Sequence, residues 1–162
     1  MKMKYNMQFF ADAGVTGVTP TNEITFSVNT AGRDTANNTT TTKIVKDAES
    51  LSIAIDGNIE EWDAMDAGGW KRRLMTAKSI TISMGGKRNY GDPGNDYVAS
   101  LFMKKGQDCN SIMTITFPNG DKLEMPCVIN VTSLGGEATS VGGLEWEALS
   151  DGRPTYTSAA TE

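Results

Sequence analysis

A chain of 162 residues with 38% hydrophobic and 22% charged residues is long enough to bury the core of one domain. Its net charge of −5, from 20 acidic and 15 basic residues, argues against general binding to nucleic acid or to anionic membranes. Because the sequence has no histidine, it lacks the commonest general base and the commonest metal ligand, and we expect no catalytic, metal or cofactor site.

The first part of the chain, residues 1–42, has few side chains that could form a core, and we expect it to be a flexible N-terminal extension. Its tract over residues 36–42, ANNTTTT, is too polar to order itself by burial. Apolar and polar residues alternate in EITFSV and predict one strand over residues 22–29. That strand could belong to the chain's own sheet or add to the sheet edge of a neighbouring copy.

The first residues, MKMKYNMQFFADAG, do not form a signal peptide, because Asn6, Gln8 and Asp12 interrupt any apolar core. No apolar run approaches the length of a membrane span. We therefore expect a protein without a membrane segment, made in a cytoplasm and kept there until it is assembled or released by lysis.

The main domain is predicted over residues 43–152 and begins with a strand over residues 43–56, in which apolar and polar side chains alternate. The sequence Asp56-Gly57-Asn58 is typical of a turn and is expected to end this strand. A long loop is then predicted over residues 57–77. Connections longer than about a dozen residues are usually functional or disordered, so this loop is the first candidate functional element.

The predicted loop carries an acidic block, a basic block and two tryptophans, a composition that could pair with a copy of itself. A pair of glycosidase carboxylates would lie across a cleft, whereas these acids are crowded on one segment, so catalysis is disfavoured. A solvated loop without a role remains an alternative. The candidate interface residues are Glu60, Glu61, Trp62, Asp63, Asp66, Trp70, Lys71, Arg72 and Arg73.

A strand ending near Met84 is followed by a turn and a helix predicted over residues 95–105, with Asn95 as its cap. Apolar residues at helical spacing would pack the helix onto the sheet. The oxygen-rich turn could hold a cation weakly, but turn and cap chemistry explains it more simply. The residues expected to pack the helix and turn are Asp92, Pro93, Gly94, Tyr97, Leu101 and Phe102.

A hairpin is predicted from residues 112–117 and 122–133, because an Asn-Gly pair lies between two alternating segments. Pro126 cannot donate to a strand ladder and therefore indicates an edge or a bulge. The two cysteines are too few for a disulfide framework; Cys127 is expected to be a buried free thiol, with a bridge to Cys109 as the alternative. A last strand, LEWEA, precedes a flexible tail predicted over residues 153–162.

Three segments carry a resemblance to a known family: DGNIEEWDAMDAGGWKRRLMTAKSITISMGGKRNYGDPGNDYVASL, FPNGDKLEMPCVINVTSLGG and SDGRPTYT. Together they resemble the major tail protein, or tail tube protein, of long-tailed bacteriophages. The resemblance covers roughly residues 43–157 and is most specific over KRNYGDPGNDY. It implies a mainly β fold, a β-sandwich or partly closed barrel with one flanking α-helix.

The resemblance also implies a structural virion protein that polymerises as stacked hexameric rings around the passage for DNA. Its partners would be copies of itself, tail-tip or baseplate proteins, tail-terminator proteins and a tape-measure protein in the lumen, with transient passage of DNA. Assembly would take place in the host cytoplasm. The alternative is a monomeric β-sandwich module that binds a protein or a carbohydrate, with Trp62 and Trp70 as platforms.

Overall fold

The computed structural model describes residues 15, 17–33 and 38–159 and consists mainly of antiparallel strands. The strands are β1 (Thr25–Asn29), β2 (Thr42–Ile44), β3 (Ala48–Asp63), β4 (Lys71–Lys87), β5 (Asn110–Thr116), β6 (Lys122–Gly135), β7 (Gly143–Ser150) and β8 (Thr155–Thr157). The helices are α1 (Asn38–Thr41) and α2 (Pro93–Ser100), with 3-10 turns at Thr21–Glu23, Met65–Ala67, Leu101–Met103 and Gly106–Cys109. The predicted fold class is confirmed.

The strands form one sheet in the order β2-β1-β5-β6-β7-β4-β3, and β8 pairs with β6 beside this path. Phe26 of β1 lines the same small cavity as Ala48 and Leu51 of β3, which shows that the sheet curls. The two ends of the strand order therefore approach each other, and the result is a partly closed barrel. We call this barrel, without the distal parts of β3 and β4, the body.

The core of the body is formed by side chains that alternate along each strand and align across strands. One buried row runs across four strands as Ile53, Ile82, Ala148 and Ile129. Three of these side chains are fully or almost fully buried, and Ile53 packs against the same cluster. Because side chains in a strand point alternately to opposite faces, the residues between them form a second row on the outside.

The helix α2 begins two residues earlier and ends five residues earlier than the predicted range of 95–105. Its cap is Asp92, whose Oδ2 accepts a hydrogen bond from the amide of Asn95 at 2.9 Å, while Pro93 occupies the first turn. Gly94 lies against β2, where a Cβ would come within 2.2 Å of the carbonyl oxygen of Ile44. Asp92, Pro93 and Gly94 therefore fix the helix against the barrel.

The apolar side of this helix is only partly as predicted. Val98 and Leu101 are buried in the core, and Tyr97 is half-buried with its hydroxyl 3.4 Å from the carbonyl oxygen of Asn110. The prediction for Phe102 is wrong: its side chain is 60% exposed. The helix ends at Ser100 and the chain tightens into a 3-10 turn, which moves residue 102 off the apolar side.

Asn95, the expected cap, has a different role because its side chain is buried beneath the turn. Its Oδ1 accepts hydrogen bonds from Arg88 Nη1 at 2.8 Å and from the amide of Asn89 at 3.1 Å. Its Nδ2 donates to the carbonyl oxygens of Lys46 and Lys87. One amide side chain thus ties the helix to the chain before β3 and to the end of β4.

The predicted main domain, 43–152, is too short at both ends. The strand β1 pairs with β2 and β5 in the chain's own sheet, and part of the tract over residues 36–42 forms α1 and the start of β2. The predicted tail over residues 153–162 contains β8, which pairs with β6. Residues 1–14, 16, 34–37 and 160–162 lie outside the described residues, and for them the predicted flexibility stays a prediction.

The hairpin of β5 and β6 is confirmed, with a five-residue connection between Thr116 and Lys122 closed in part by Gly120 at φ +85°. Pro126 lies where β6 passes from its pairing with β8 to its pairing with β7, so its missing amide hydrogen faces a gap in the sheet. Cys109 and Cys127 are both buried free thiols, as predicted for Cys127, and burial raises the pKa of Cys127 to about 12. Within the described part of the chain, no helix is long and apolar enough to cross a membrane.

Candidate assembly interface

The distal parts of β3 and β4 form a two-stranded arm that leaves the body. The two strands pair with each other as far as Asp63 and Lys71, but β4 pairs with β7 only from Thr81 onward. We define the arm as residues 56–78. Each of its strands has about eight residues, so it extends roughly 26 Å beyond the supported sheet, plus the turn at its tip.

The arm corrects the predicted loop over residues 57–77. The sequence Asp56-Gly57-Asn58 was expected to form a turn, but Gly57 is paired within β3 opposite Lys78. A Cβ on Gly57 would lie 2.5 Å from Sδ of Met75, so the glycine makes room for a side chain from the facing strand. Glycine at this position reflects close packing across the hairpin, which the local sequence does not reveal.

Two irregular features shape the arm. A bulge in β4 shifts the register between Asn58 and Ile59, and Asn58 Nδ2 donates to Thr76 Oγ1 at 2.8 Å. At the tip, a 3-10 turn ends in Gly68 and Gly69, whose φ angles of +59° and +88° suit glycine. The turn therefore occupies residues 64–70, and the rest of the predicted loop is strand.

The acidic and basic blocks of the arm face each other within one subunit. Glu61 Oε1 accepts from Arg73 Nε at 2.6 Å, and its Oε2 lies 3.3 Å from Lys71 Nζ. Arg72 Nη2 lies 3.2 Å from Asp66 Oδ2. The hydrogen bond from Arg73, followed by that from Lys71, lowers the pKa of the Glu61 carboxyl. These pairs are exposed, so they contribute little to stability and mainly align the two strands.

The arm also exposes large apolar side chains at high density. Every residue from 54 to 79 is exposed except Ala64 and Ala67, which are half-buried. Trp70 is 80% exposed and Trp62 is 44% exposed. Apolar side chains grouped on one projection are typical of a protein–protein contact. The exposed large apolar residues of the arm and its root are Ile55, Ile59, Trp62, Met65, Trp70, Leu74 and Met75.

The nine predicted interface residues all lie on this arm and are exposed. The structure brings Glu61 together with Lys71 and Arg73, and it places Trp62 opposite Arg72. Sequence reasoning missed the apolar residues of the arm other than the tryptophans. The alternation of Ile55, Gly57 and Ile59 could have indicated that the strand continues into the arm and carries apolar residues with it.

A second surface feature lies on the outer face of the body. The row beside the buried one runs across four strands as Ser52, Ser83, Glu147 and Asn130. The next row on the same face includes Glu145, which is exposed. This surface, which we call the outer polar face, carries small hydroxyl groups and two carboxylates along these rows.

A model of the phage tail tube protein family matches residues 22–156. The chain belongs to the phage tail tube protein family. It is therefore a structural component of a virion tail and not an enzyme. A search of curated protein sequences found no match.

Two solved structures share the fold. One is the tail of an empty gene transfer agent particle, obtained by helical refinement with C6 symmetry; the two chains are 14% identical with a TM-score of 0.68. The other comes from the virion of a native gene transfer agent particle, with 15% identity and a TM-score of 0.64. Both comparisons cover 87% of this chain and 100% of the other chain. At this level of identity they support the fold alone.

Proposed function

We propose that this tail tube protein polymerises as stacked hexameric rings that form the conduit for DNA ejection. The observation that carries the proposal is the arm, because a two-stranded ribbon with this much exposed apolar surface has no supporting layer among the residues that the structure describes. Isolated hairpins of two strands are marginally stable in water, so such an element gains stability when a neighbour covers it. The C6 symmetry of a similarly folded gene transfer agent tail supports sixfold rings.

In this proposal the arm makes the contact between successive rings. Covering a large apolar side chain contributes about 1.5–3 kcal/mol when burial is complete, so a few residues of each arm would supply most of the contact energy. Trp62, Trp70 and Leu74 are the strongest candidates, because their side chains are large and at least 44% exposed.

The charged residues of the arm have a different role from the one that the sequence suggested. Glu61, Lys71 and Arg73 already pair within one subunit, so they do not need a partner copy to be neutralised. They would form the polar rim of the contact and hold the two strands in register, while the apolar residues provide its centre.

We also assign the outer polar face to the wall of the lumen. Serines, an asparagine and the carboxylates of Glu145 and Glu147 offer neither apolar surface nor positive charge along these rows. A wall of this chemistry repels phosphate and does not hold DNA as it passes. The ends and interior of the tube would contact tail-tip, tail-terminator and tape-measure proteins.

The arm proposal is tested with the variant Trp70→Ala combined with Leu74→Ser. We expect the subunit to keep its melting temperature, because both side chains are exposed, while tubes seeded by tail-tip proteins no longer form in electron micrographs. The matched control is Phe102→Ser, which removes an exposed aromatic residue from the body. Normal tubes from the double variant would show that the arm does not make the contact between rings.

The lumen proposal is tested with Glu145→Lys, which would place six positive charges in each hexameric ring. We expect tubes of normal appearance but slower DNA ejection from virions built with the variant, because lysine attracts phosphate. Glu137→Lys is the control, since Glu137 is an exposed acid in the connection between β6 and β7. Equal ejection rates for both variants would place the outer polar face elsewhere in the tube.

A further inference from the structure

The body has an apolar groove at the root of the arm. The groove has a volume of about 860 Å³, and its walls include Ile55 of β3, Ile80 of β4, Leu123 of β6 and Tyr156 of β8. Ile55 and Tyr156 are exposed, so the residues that the structure describes leave this wall of the barrel uncovered. Sites that bury a compact ligand have volumes of roughly 300–1,000 Å³. The groove therefore has room for two or three side chains of a partner.

Two positive charges lie beside the apolar walls of the groove. Lys78 at the base of the arm and Arg153 in the connection between β7 and β8 both line it. Neither side chain forms an ion pair with a described residue. The described residues that line the groove include no acidic side chain. A partner that fits the groove would thus combine large apolar side chains with a free carboxylate.

The tip of the arm has this combination. Met65 and Trp70 lie in the turn of the tip, where Met65 is fully exposed and Trp70 is largely exposed. Asp63 ends β3 just before the turn and is paired opposite Lys71, the residue after Trp70. The Asp63 carboxylate is exposed and forms no ion pair within the described part of the chain. The tip and the groove are therefore complementary in apolar surface and in charge.

The tip does not reach the groove of its own subunit. The groove lies where the arm begins, at Ile55 and Lys78, and the paired strands hold the tip roughly 26 Å away from it. The partner must then be a second copy. Because the tip and the groove are different surfaces, their contact is heterologous, and each copy can use its tip on one neighbour and its groove on another. A contact of this kind repeats from copy to copy, as a growing tube requires.

We propose that the tip of the arm docks in the groove of a neighbouring copy. Trp70 and Met65 lie against the apolar walls, and tryptophan in a pocket is the commonest kind of residue to dominate a contact. The Asp63 carboxylate lies beside Lys78 and Arg153. This inference rests on the proposed function, because it identifies the surface of the next ring that receives the arm.

The first test cross-links the double variant Met65→Cys with Ile55→Cys, using a short bismaleimide, in tubes seeded by tail-tip proteins. We expect a ladder of linked chains longer than dimers, because each copy joins two neighbours. The native thiols are buried and do not compete. The control pair is Met65→Cys with Lys104→Cys, since residue 104 is exposed beyond the 3-10 turn that follows α2. Its ladder should be at least about tenfold weaker.

Two outcomes of this experiment would overturn the docking site. Equal ladders from the two pairs would show that the tip does not select the groove. Linked dimers without longer products from the first pair would show a symmetric contact between two arms in place of the heterologous one.

The second test changes the charge of the groove and needs no engineered cysteine. Arg153→Glu places a carboxylate beside Asp63 of the docked copy, so the yield of seeded tubes should fall at least about fivefold. Arg153→Lys keeps the positive charge and should keep most of the yield. Lys104→Glu is the matched control, because it reverses an exposed positive charge elsewhere on the body. Normal tube yield from Arg153→Glu would contradict the docking site.

The docking site and the proposed function fail in different ways. If Trp70→Ala with Leu74→Ser blocks tubes while Arg153→Glu does not, the arm makes the contact between rings at a surface other than the groove. If the unmodified protein forms no tubes with tail-tip proteins, the proposed function itself is wrong.

Discussion

Strand β4 passes through two regions with opposite physical roles. Ile82 lies in the body and is 0% exposed, whereas Leu74, eight residues earlier on the same strand, lies in the arm and is 58% exposed. The body buries its apolar side chains within one chain, whereas the arm leaves its own apolar side chains exposed. The difference teaches that one continuous strand can supply both the stability of the subunit and an exposed apolar surface, which we propose contacts other copies.

The two regions also use charge and hydrogen bonding differently. In the body, the buried amide of Asn95 has four hydrogen-bonding partners, so it holds three segments in one arrangement. In the arm, Glu61 has two cationic partners in solvent, where each pair is weak. We therefore expect substitutions in the body to change folding and substitutions in the arm to change assembly.

The largest effect on stability is expected from shortening the same kind of side chain in the two regions. Ile82→Ala should lower the free energy of unfolding by about 2–5 kcal/mol, because it leaves a cavity in the core. Leu74→Ala should change it by less than about 0.5 kcal/mol, because the side chain is exposed. Urea denaturation of the two variants measures both values. Similar losses would show that the arm is part of the folded core of the subunit.

A smaller effect is expected from adding a methyl group at the close contact between α2 and β2. Gly94→Ala should destabilise the body by about 1–3 kcal/mol, because its Cβ would overlap the carbonyl oxygen of Ile44. The gain in helix propensity, about 1 kcal/mol, offsets part of this cost. The matched control is Gly142→Ala, whose Cβ would meet no atom within 4 Å. A melting temperature that rises in Gly94→Ala would mean that the helix can move away from β2.

In the arm, reversing one charge should affect assembly more than folding. Arg73→Glu places a carboxylate opposite Glu61, so we expect the strands of the arm to separate more often and the yield of tubes to fall. NMR titration should show that the pKa of Glu61 rises, since its main stabilising hydrogen bond is lost. The swapped pair Glu61→Arg with Arg73→Glu should restore tube yield; failure to do so would show that a neighbouring subunit recognises these charges directly.

The smallest effect is expected at β8, which Asp121 holds. Its carboxylate accepts hydrogen bonds from the hydroxyl of Tyr156 and from the amide of Ala159, and these lower its pKa below the ordinary value of 3.8. A lowered pKa means that the stabilising contribution is present above pH 3.8 and is lost as the pH falls through the folded-state pKa. NMR shifts of Thr155–Thr157 should change in that acid range, and Asp121→Asn should abolish the step.

The sequence by itself determined the features that depend on local side-chain patterns. The alternation in β6, the Asn-Gly connection after β5 and the apolar spacing of Val98 and Leu101 were sufficient to predict those elements. The resemblance in the quoted segments was sufficient to indicate the family, and the composition of residues 60–73 identified the surface of the arm. These features could be predicted because each is a property of neighbouring residues.

Only the tertiary structure decided the features that depend on distant partners. Gly57 lies within a strand, where the side chain of Met75 fills the space that a Cβ at residue 57 would need. Asp92, and not Asn95, caps the helix, because the side chain of Asn95 is hydrogen-bonded to Lys46 and Lys87. The strand β8 forms because β6 offers an edge where β7 has ended. A local pattern records which face of an element is apolar, but strand pairing and burial depend on residues far away in the chain.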